Sequence, residues 1–300
     1  MTRYEEKLSR IRAGDYRKGD FIIADAKDGD MGPALPACGP VRDDDGNIVR
    51  FRTRHEFIDA ICEIVAQDVV DIMLVSASNL ELLMEREAFM GTAVKPAIRA
   101  NDTTDIWVGR GARYAKFPSR PFRTASIARD MRRTDLGLYS ITFNNDIDAD
   151  VASLEAFQAF RRDAGAEDFR YFLEVFNPNA PAHLPADDMP HFVNDSIVRT
   201  LAGLTRAERP QFLKIAYNGP KALDELASFD PSLVVGVLGG GAGTTRDTFE
   251  LLHQAEKYGA RVALFGRKIN LAEDPPAIVR LMRAVVDGDT SPEDAVRAYH

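Results

Sequence analysis

Eight short runs rich in β-branched and aromatic residues recur along this 300-residue chain, with stretches of helical apolar spacing between them. The runs cover residues 21–28 (FIIADAKD), 71–78 (DIMLVSAS), 94–101 (VKPAIRAN), 137–145 (GLYSITFNN), 169–177 (FRYFLEVFN), 211–218 (QFLKIAYN), 233–240 (LVVGVLGG) and 261–268 (RVALFGRK). Helical spacing covers 55–67, 151–163, 220–228 and 245–258. Strands that alternate with helices pair in parallel, because a parallel partner is reached only through a crossover. Eight such units predict an α/β fold, a closed (β/α)8 TIM barrel, with residues 1–300 forming a single domain. An open doubly wound sheet gives the same local pattern, but no GxGxxG opens a helix after the first run. At the far end, Ser291-Pro292-Glu293 supplies an N-cap followed by proline, and starts a short last helix that ends at Tyr299.

Composition narrows the function classes. The apolar fraction of 45% with 28% charged residues describes a soluble globular chain with ample core. A formal charge of -8 argues against a nucleic-acid partner, which calls for a basic surface. Two cysteines, Cys38 and Cys62, suggest a reducing compartment without a disulfide framework. The first twenty residues are charged and amphipathic, unlike a signal peptide, and no run approaches the length of a membrane span. Cytoplasm is the expected location, with no membrane partner.

Three connections are too long to be simple turns: 30–54, 102–135 and 177–209, after runs one, three and five. The first carries a hairpin signal at Asp44-Asp45-Gly46-Asn47, and the second is basic, with Arg110, Arg113, Lys116, Arg120 and Arg123 among its cations. All three leave the carboxyl ends of strands, the face on which barrel sites are built. They read as walls of a pocket, as subunit contacts or as solvated decoration.

The sixth run holds an isolated Lys214 among apolar residues. A lysine there snorkels, pairs with an acid or does chemistry. Desolvation lowers a lysine pKa, and a neutral amine attacks carbonyls to form a Schiff base. Side chains alternate along a strand, so an inward Lys214 shares its face with Phe212, Ala216 and Asn218. By the same parity Glu174 points inward on run five, Ser140, Thr142 and Asn144 on run four, and Lys95 and Arg99 on run three. Asp25 and Lys27 do so on run one if Ala24 and Ala26 face the helices. Neighbouring strands bring Glu174 within reach of Lys214, either as a catalytic couple or as a buried ion pair, which is weak evidence for stability. Asn144, Ser76 and Arg99 are candidate contacts to substrate hydroxyls or phosphate, by parity and strand-end position.

A glycine run, Gly239-Gly240-Gly241-Ala242-Gly243-Thr244-Thr245, follows run seven and precedes a helix, and Phe265-Gly266-Arg267-Lys268 ends run eight. Glycines let backbone N–H groups approach an anion, and loops seven and eight are the recurrent phosphate site of such barrels. Tight turns are the other reading of those glycines. The five histidines fall in predicted helices, loops or the terminus, so no metal ligand set is evident and no cofactor is called for.

Tyr171-Phe172-Leu173-Glu174-Val175, the isolated Lys214 and the ending LVVGVLGGGAGTT…ALFGRKIN resemble the class I tagatose-1,6-bisphosphate aldolase branch of the deoxyribose-phosphate aldolase superfamily. The sulfofructose-phosphate aldolases are similar, and the resemblance spans roughly residues 20–285. It implies a lyase that cleaves or forms a C–C bond in a ketose phosphate, with Lys214 forming the Schiff base and Glu174 shuttling protons. It implies a phosphate grip by Gly240, Gly241, Gly266 and Arg267, a phosphorylated small-molecule substrate and a homo-oligomer. The family carries an Asp before a glycine at the end of strand one; here the run is Asp25-Ala26-Lys27-Asp28-Gly29, and either Asp25 or Asp28 takes that part. Lys27 is a candidate to depress the pKa of Lys214 by like-charge repulsion. Where a related branch uses a tyrosine on strand five, Phe176 stands here and cannot donate a proton. The rival readings are acyl transfer or isomerisation without an imine, and a non-catalytic sugar-phosphate-binding protein.

Overall fold

The computed structural model describes residues 2–130, 133–240 and 243–300. Eight strands, β1 Ile22–Lys27, β2 Ile72–Val75, β3 Lys95–Arg99, β4 Leu136–Thr142, β5 Arg170–Phe176, β6 Leu213–Ile215, β7 Val235–Leu238 and β8 Val262–Phe265, form a closed barrel. Their order is β1-β8-β7-β6-β5-β4-β3-β2, and every pairing is parallel, as the alternating pattern requires. The helices of eight or more residues are α1 Arg3–Arg12, α2 Arg54–Gln67, α3 Ala77–Glu85, α4 Ile147–Ala166, α5 Met189–Leu201, α6 Pro220–Phe229, α7 Thr245–Lys257, α8 Pro275–Val286 and α9 Pro292–Tyr299. No described helix is long and apolar enough to cross a membrane.

Local chemistry sets the element ends. Thr53 caps α2 by accepting from the Glu56 N–H while Glu56 returns a bond to Thr53, and Thr244 with Asp247 does the same for α7. Run 71–78 proves shorter than the sequence suggests, because Ser76 turns to accept from the Asn79 N–H and begins α3. The connection 177–209, read as a loop, contains α5, whose buried Val193, Ile197 and Leu201 recur every four residues. The hairpin signal at 44–47 holds: Pro40–Arg42 pairs antiparallel with Ile48–Phe51. A second small ladder, Asp102–Thr103 with Pro121–Phe122, braces the basic connection.

Alternation divides the core into two layers. Phe21, Ile23, Met73, Val75 and Phe265 face the helices, where they pack with Phe57 and Ile61 of α2. Ile22, Ala24, Leu74, Ala97, Leu138, Phe172, Phe212 and Leu264 fill the barrel itself. Helix α1 closes its amino-terminal end. Fully buried Tyr4 meets the Phe212 ring edge-on at 6.2 Å, and Phe212 stacks on Phe172 at 4.5 Å.

Beside that plug, Asp71 is fully buried and gathers three cations. Arg3 Nε donates to it at 2.7 Å, Arg283 Nη2 at 2.6 Å, and Lys7 Nζ lies 3.0 Å away; the Ile23 N–H adds a bond at 2.9 Å. Burial pushes the Asp71 carboxyl up, but Arg283, Lys7 and the hydrogen bonds outweigh it and hold the pKa below the ordinary value. Asp71→Asn leaves three cations around a neutral amide and is expected to cost about 3–5 kcal/mol in urea or thermal unfolding. Because the folded-state pKa lies below the unfolded one, this stabilisation is present above the ordinary carboxylate range. It is lost as pH falls through the folded value, so the native protein should lose stability in acid more steeply than the variant.

Candidate active site

Strand parity places Lys214 inside the barrel, one inward step above Phe212. Register then fixes its neighbour: Lys214 pairs with Glu174 across β6 and β5, and Glu174 pairs with Ser140 across β5 and β4. Lys214 Nζ stands 2.5 Å from Glu174 Oε1, with side-chain exposures of 7% and 2%. The other carboxylate oxygen, Oε2, accepts from Ser140 Oγ at 2.6 Å and from Arg99 Nη2 at 3.2 Å. Arg99 also donates through Nη1 to Ser140 Oγ at 2.8 Å and through Nε to Asp28 Oδ2 at 2.5 Å. The result is one buried chain of charge: Asp28, Arg99, Ser140, Glu174, Lys214.

The electrostatics follow from this arrangement. Burial pushes the Asp28 carboxyl up, yet the charges of Arg99 and Lys214 outweigh it and hold the pKa below the usual range. Burial works against the Arg99 guanidinium, but Asp28 and Glu174 secure its charge. Asn101 completes the frame: its Oδ1 accepts from the Ser140 N–H at 2.6 Å and its Nδ2 donates to the Ser140 carbonyl at 2.9 Å. Asn101 thus holds both backbone groups of Ser140, and the bond from Arg99 with the bond to Glu174 fixes the direction of its hydroxyl.

Parity on β1 comes out opposite to the conditional sequence expectation. Asp25 pairs in register with Met73 and Phe265, and Lys27 with Val75, all residues of the outer layer. Ala24 instead joins the inner cluster and Ala26 packs against it, because Ile22 is taken inward below them. Asp25 and Lys27 therefore lie behind the barrel wall, paired with each other at 3.2 Å. Burial raises the Asp25 carboxyl to about 6 and lowers the Lys27 ammonium. The inward acid of the run is Asp28.

Other candidates divide by position. Arg99 reaches the network, so the cation expected to meet substrate phosphate is engaged by Asp28, Ser140 and Glu174. Asn144 is buried, but its Oδ1 accepts from the Ser119 N–H at 2.9 Å and its Nδ2 donates to Asn179 at 2.8 Å, tying two long connections together. Ser76 donates to Asp30 Oδ2 at 2.5 Å. Gly240 adopts φ +58° with open space where a Cβ would stand, whereas Gly241 lies outside the described residues. Gly266 has a packing reason to be glycine: a Cβ would come within 2.3 Å of the Ala26 carbonyl oxygen. Arg267 is exposed and lines a cavity of about 320 Å³ with Thr244, Thr248, Lys268 and His300. A cavity of about 600 Å³ between α3 and the segment 124–129, with Arg133, likewise touches no member of the network. Among the described residues, no cluster of His, Cys, Asp or Glu is arranged to hold a metal ion.

Sequence reasoning passed over Ser140, Asn101, Asp30 and Asp102 as site residues. For Ser140 the signal was present, since it shares the inward face of β4 and its register partner is Glu174. Asn101 ends run 94–101 on the parity of Arg99, whereas Asp30 and Asp102 stand beyond the barrel strands, where no periodicity assigns a direction.

No protein-family model matches the chain, and no curated protein matches its sequence. Solved structures do match in shape. An archaeal fructose 1,6-bisphosphate aldolase is 16% identical, with 95% of this chain and 99% of that one covered and a TM-score of 0.68. A Schiff-base-forming fructose-1,6-bisphosphate aldolase gives 17% identity, 94% and 99% coverage and a TM-score of 0.67. Fructose-bisphosphate aldolase from Slackia heliotrinireducens gives 14%, 99% and 89%, and 0.70. The chain has the fold of these fructose-bisphosphate aldolases. At such identity the shared aldolase fold speaks for architecture, and chemistry has to come from the residues.

Gly266→Ala is expected to lower stability by about 1–3 kcal/mol, since the atom it meets is backbone and cannot rotate away. Gly240→Ala meets no neighbour, and only its left-handed φ is penalised, by about 1–2 kcal/mol. Thermal melts of the two variants check the order.

Proposed function

We propose that the protein is a class I aldolase acting on a ketose phosphate through a Schiff base on Lys214. The observation that carries this reading is a buried lysine inside the closed barrel, 2.5 Å from Glu174, whose second oxygen is held by Ser140 and Arg99. A purely structural ion pair has no need for one carboxylate oxygen to be fixed while the other faces an amine. A proton shuttle needs that division.

In the proposed cycle Glu174 takes a proton from Lys214, and the freed amine adds to the ketone carbon to give a carbinolamine. Glu174 returns the proton to the departing hydroxyl, water leaves, and a protonated imine remains. The imine accepts the electron pair of the C3–C4 bond as that bond breaks, while a carboxylate takes the C4 hydroxyl proton and the aldehyde departs. Glu174 is the first choice for that base, and Asp28 the second. The enamine left on Lys214 is then protonated at carbon, and water hydrolyses the imine to release the ketone product. Gly240 and Arg267, near the ends of β7 and β8, are proposed to receive the phosphate through backbone N–H groups and positive charge. A homo-oligomer is proposed on the sequence resemblance.

Borohydride added with dihydroxyacetone phosphate should leave a reduced adduct on Lys214, seen as a mass increase on its peptide. Turnover without that adduct rejects the imine. Lys214→Met should abolish both adduct and turnover, whereas activity should survive a chelator. Glu174→Gln should lower kcat by about 10²–10⁴-fold. Ser140→Ala removes a hydrogen bond to a charged acceptor and should lower kcat by about 10–100-fold. Because Ser140 acts through Glu174, its loss should also shift the pH profile of kcat, a change that mere loosening of the fold does not produce.

A further inference from the structure

Beside the charged chain stands a group of acids that the proposed cycle leaves unused. Asp102 follows β3 by three residues and is only 3% exposed, yet its Oδ1 has no hydrogen-bond partner among the described residues. Its charge is felt by Arg99, Asp28 and Asp30, so it belongs to the same end of the barrel. Asp30 is similar: Oδ2 accepts from Ser76 Oγ at 2.5 Å and Asn79 Nδ2 at 3.0 Å, while Oδ1 is buried without a partner among the described residues. Burial raises the Asp102 carboxyl to about 6 and raises Asp30 as well.

The cations nearby are committed. Three nitrogens of Arg99 already donate to Asp28, Ser140 and Glu174, and Arg54, which Asp30 also feels, gives its Nε to Asn79 at 2.9 Å. The basic connection sends its positive charge elsewhere. Arg110, Arg113, Lys116 and Arg120 are exposed on its outer surface, while its acid Asp102 is buried inward. Buried acceptors without donors cost free energy until something donates to them, and a phosphate placed against them adds like-charge repulsion.

We propose that the part of the substrate held beyond the carboxyl ends of β1 and β3, the half released as aldehyde, is an uncharged hydroxylated carbon chain that donates to Asp102 and Asp30. The substrate class is thus a ketose monophosphate with its single phosphate on the β7–β8 side, and not a bisphosphate. This deepens the imine reading and rests on it.

The test runs the reaction toward condensation at about pH 8, above the Asp102 value of about 6. Dihydroxyacetone phosphate is offered with DL-glyceraldehyde or with DL-glyceraldehyde 3-phosphate, and borohydride trapping is run in parallel. The uncharged aldehyde should show a kcat/KM at least about tenfold higher. Asp102→Asn should move that ratio toward the phosphorylated aldehyde by about tenfold. The ratio comes from one preparation, so a misfolded fraction does not alter it. A native preference for the phosphorylated aldehyde, an unchanged ratio in the variant, or turnover of neither aldehyde despite a Lys214 adduct overturns this inference and leaves the imine reading standing. Absence of the adduct removes both.

Discussion

A guanidinium out of contact with water is tolerated only where acceptors surround it, and in this barrel Arg99 ties three other strands together. It reaches Asp28 beyond β1, Ser140 on β4 and Glu174 on β5, and through Glu174 it reaches Lys214 on β6. Each charge alone would carry a large desolvation cost, and together they offset one another. The arrangement divides the labour of Glu174 between its two oxygens. One is held by Ser140 and Arg99, so the other is presented to Lys214 in a single direction. Such preorganisation is what proton transfer at an amine requires.

Much of this was legible in the sequence because a barrel strand carries a period of two and a layer of helix follows it. All eight runs became strands, and the inward set on β5 and β6 followed from Phe172 and Phe212. The direction of β1 was left conditional for a physical reason. Ile22 and Ile23 are equally apolar, and Ala24 and Ala26 fit either layer, so composition alone did not decide which of Asp25 and Asp28 faced inward. Strand ends were overestimated at run 71–78 because Ser76 is both a tolerable strand residue and a good cap. Helix α5 was hidden behind proline and histidine, although Val193, Ile197 and Leu201 already carried its spacing.

What lay beyond the strand ends was mostly illegible. Asn144 looked like a substrate contact by parity, but its amide holds Ser119 and Asn179 together and so joins the connections after β3 and β5. Asp30 and Asp102 have no pattern that announces them; only the fold brings them beside Arg99. The fold shared with structures of 14–17% identity supplies the barrel, while these connections decide which side chains stand at its mouth.

The anchoring of Asp71 reaches beyond stability. Arg3 and Lys7 leave the ribosome before it, but Arg283 follows only after every barrel strand has been made. A nascent chain therefore carries an incompletely neutralised carboxylate, and β1 waits without its partner β8, through most of synthesis. That edge of β1 finds its partner only when the last strand has been made, the constraint that closing a barrel places on its first strand.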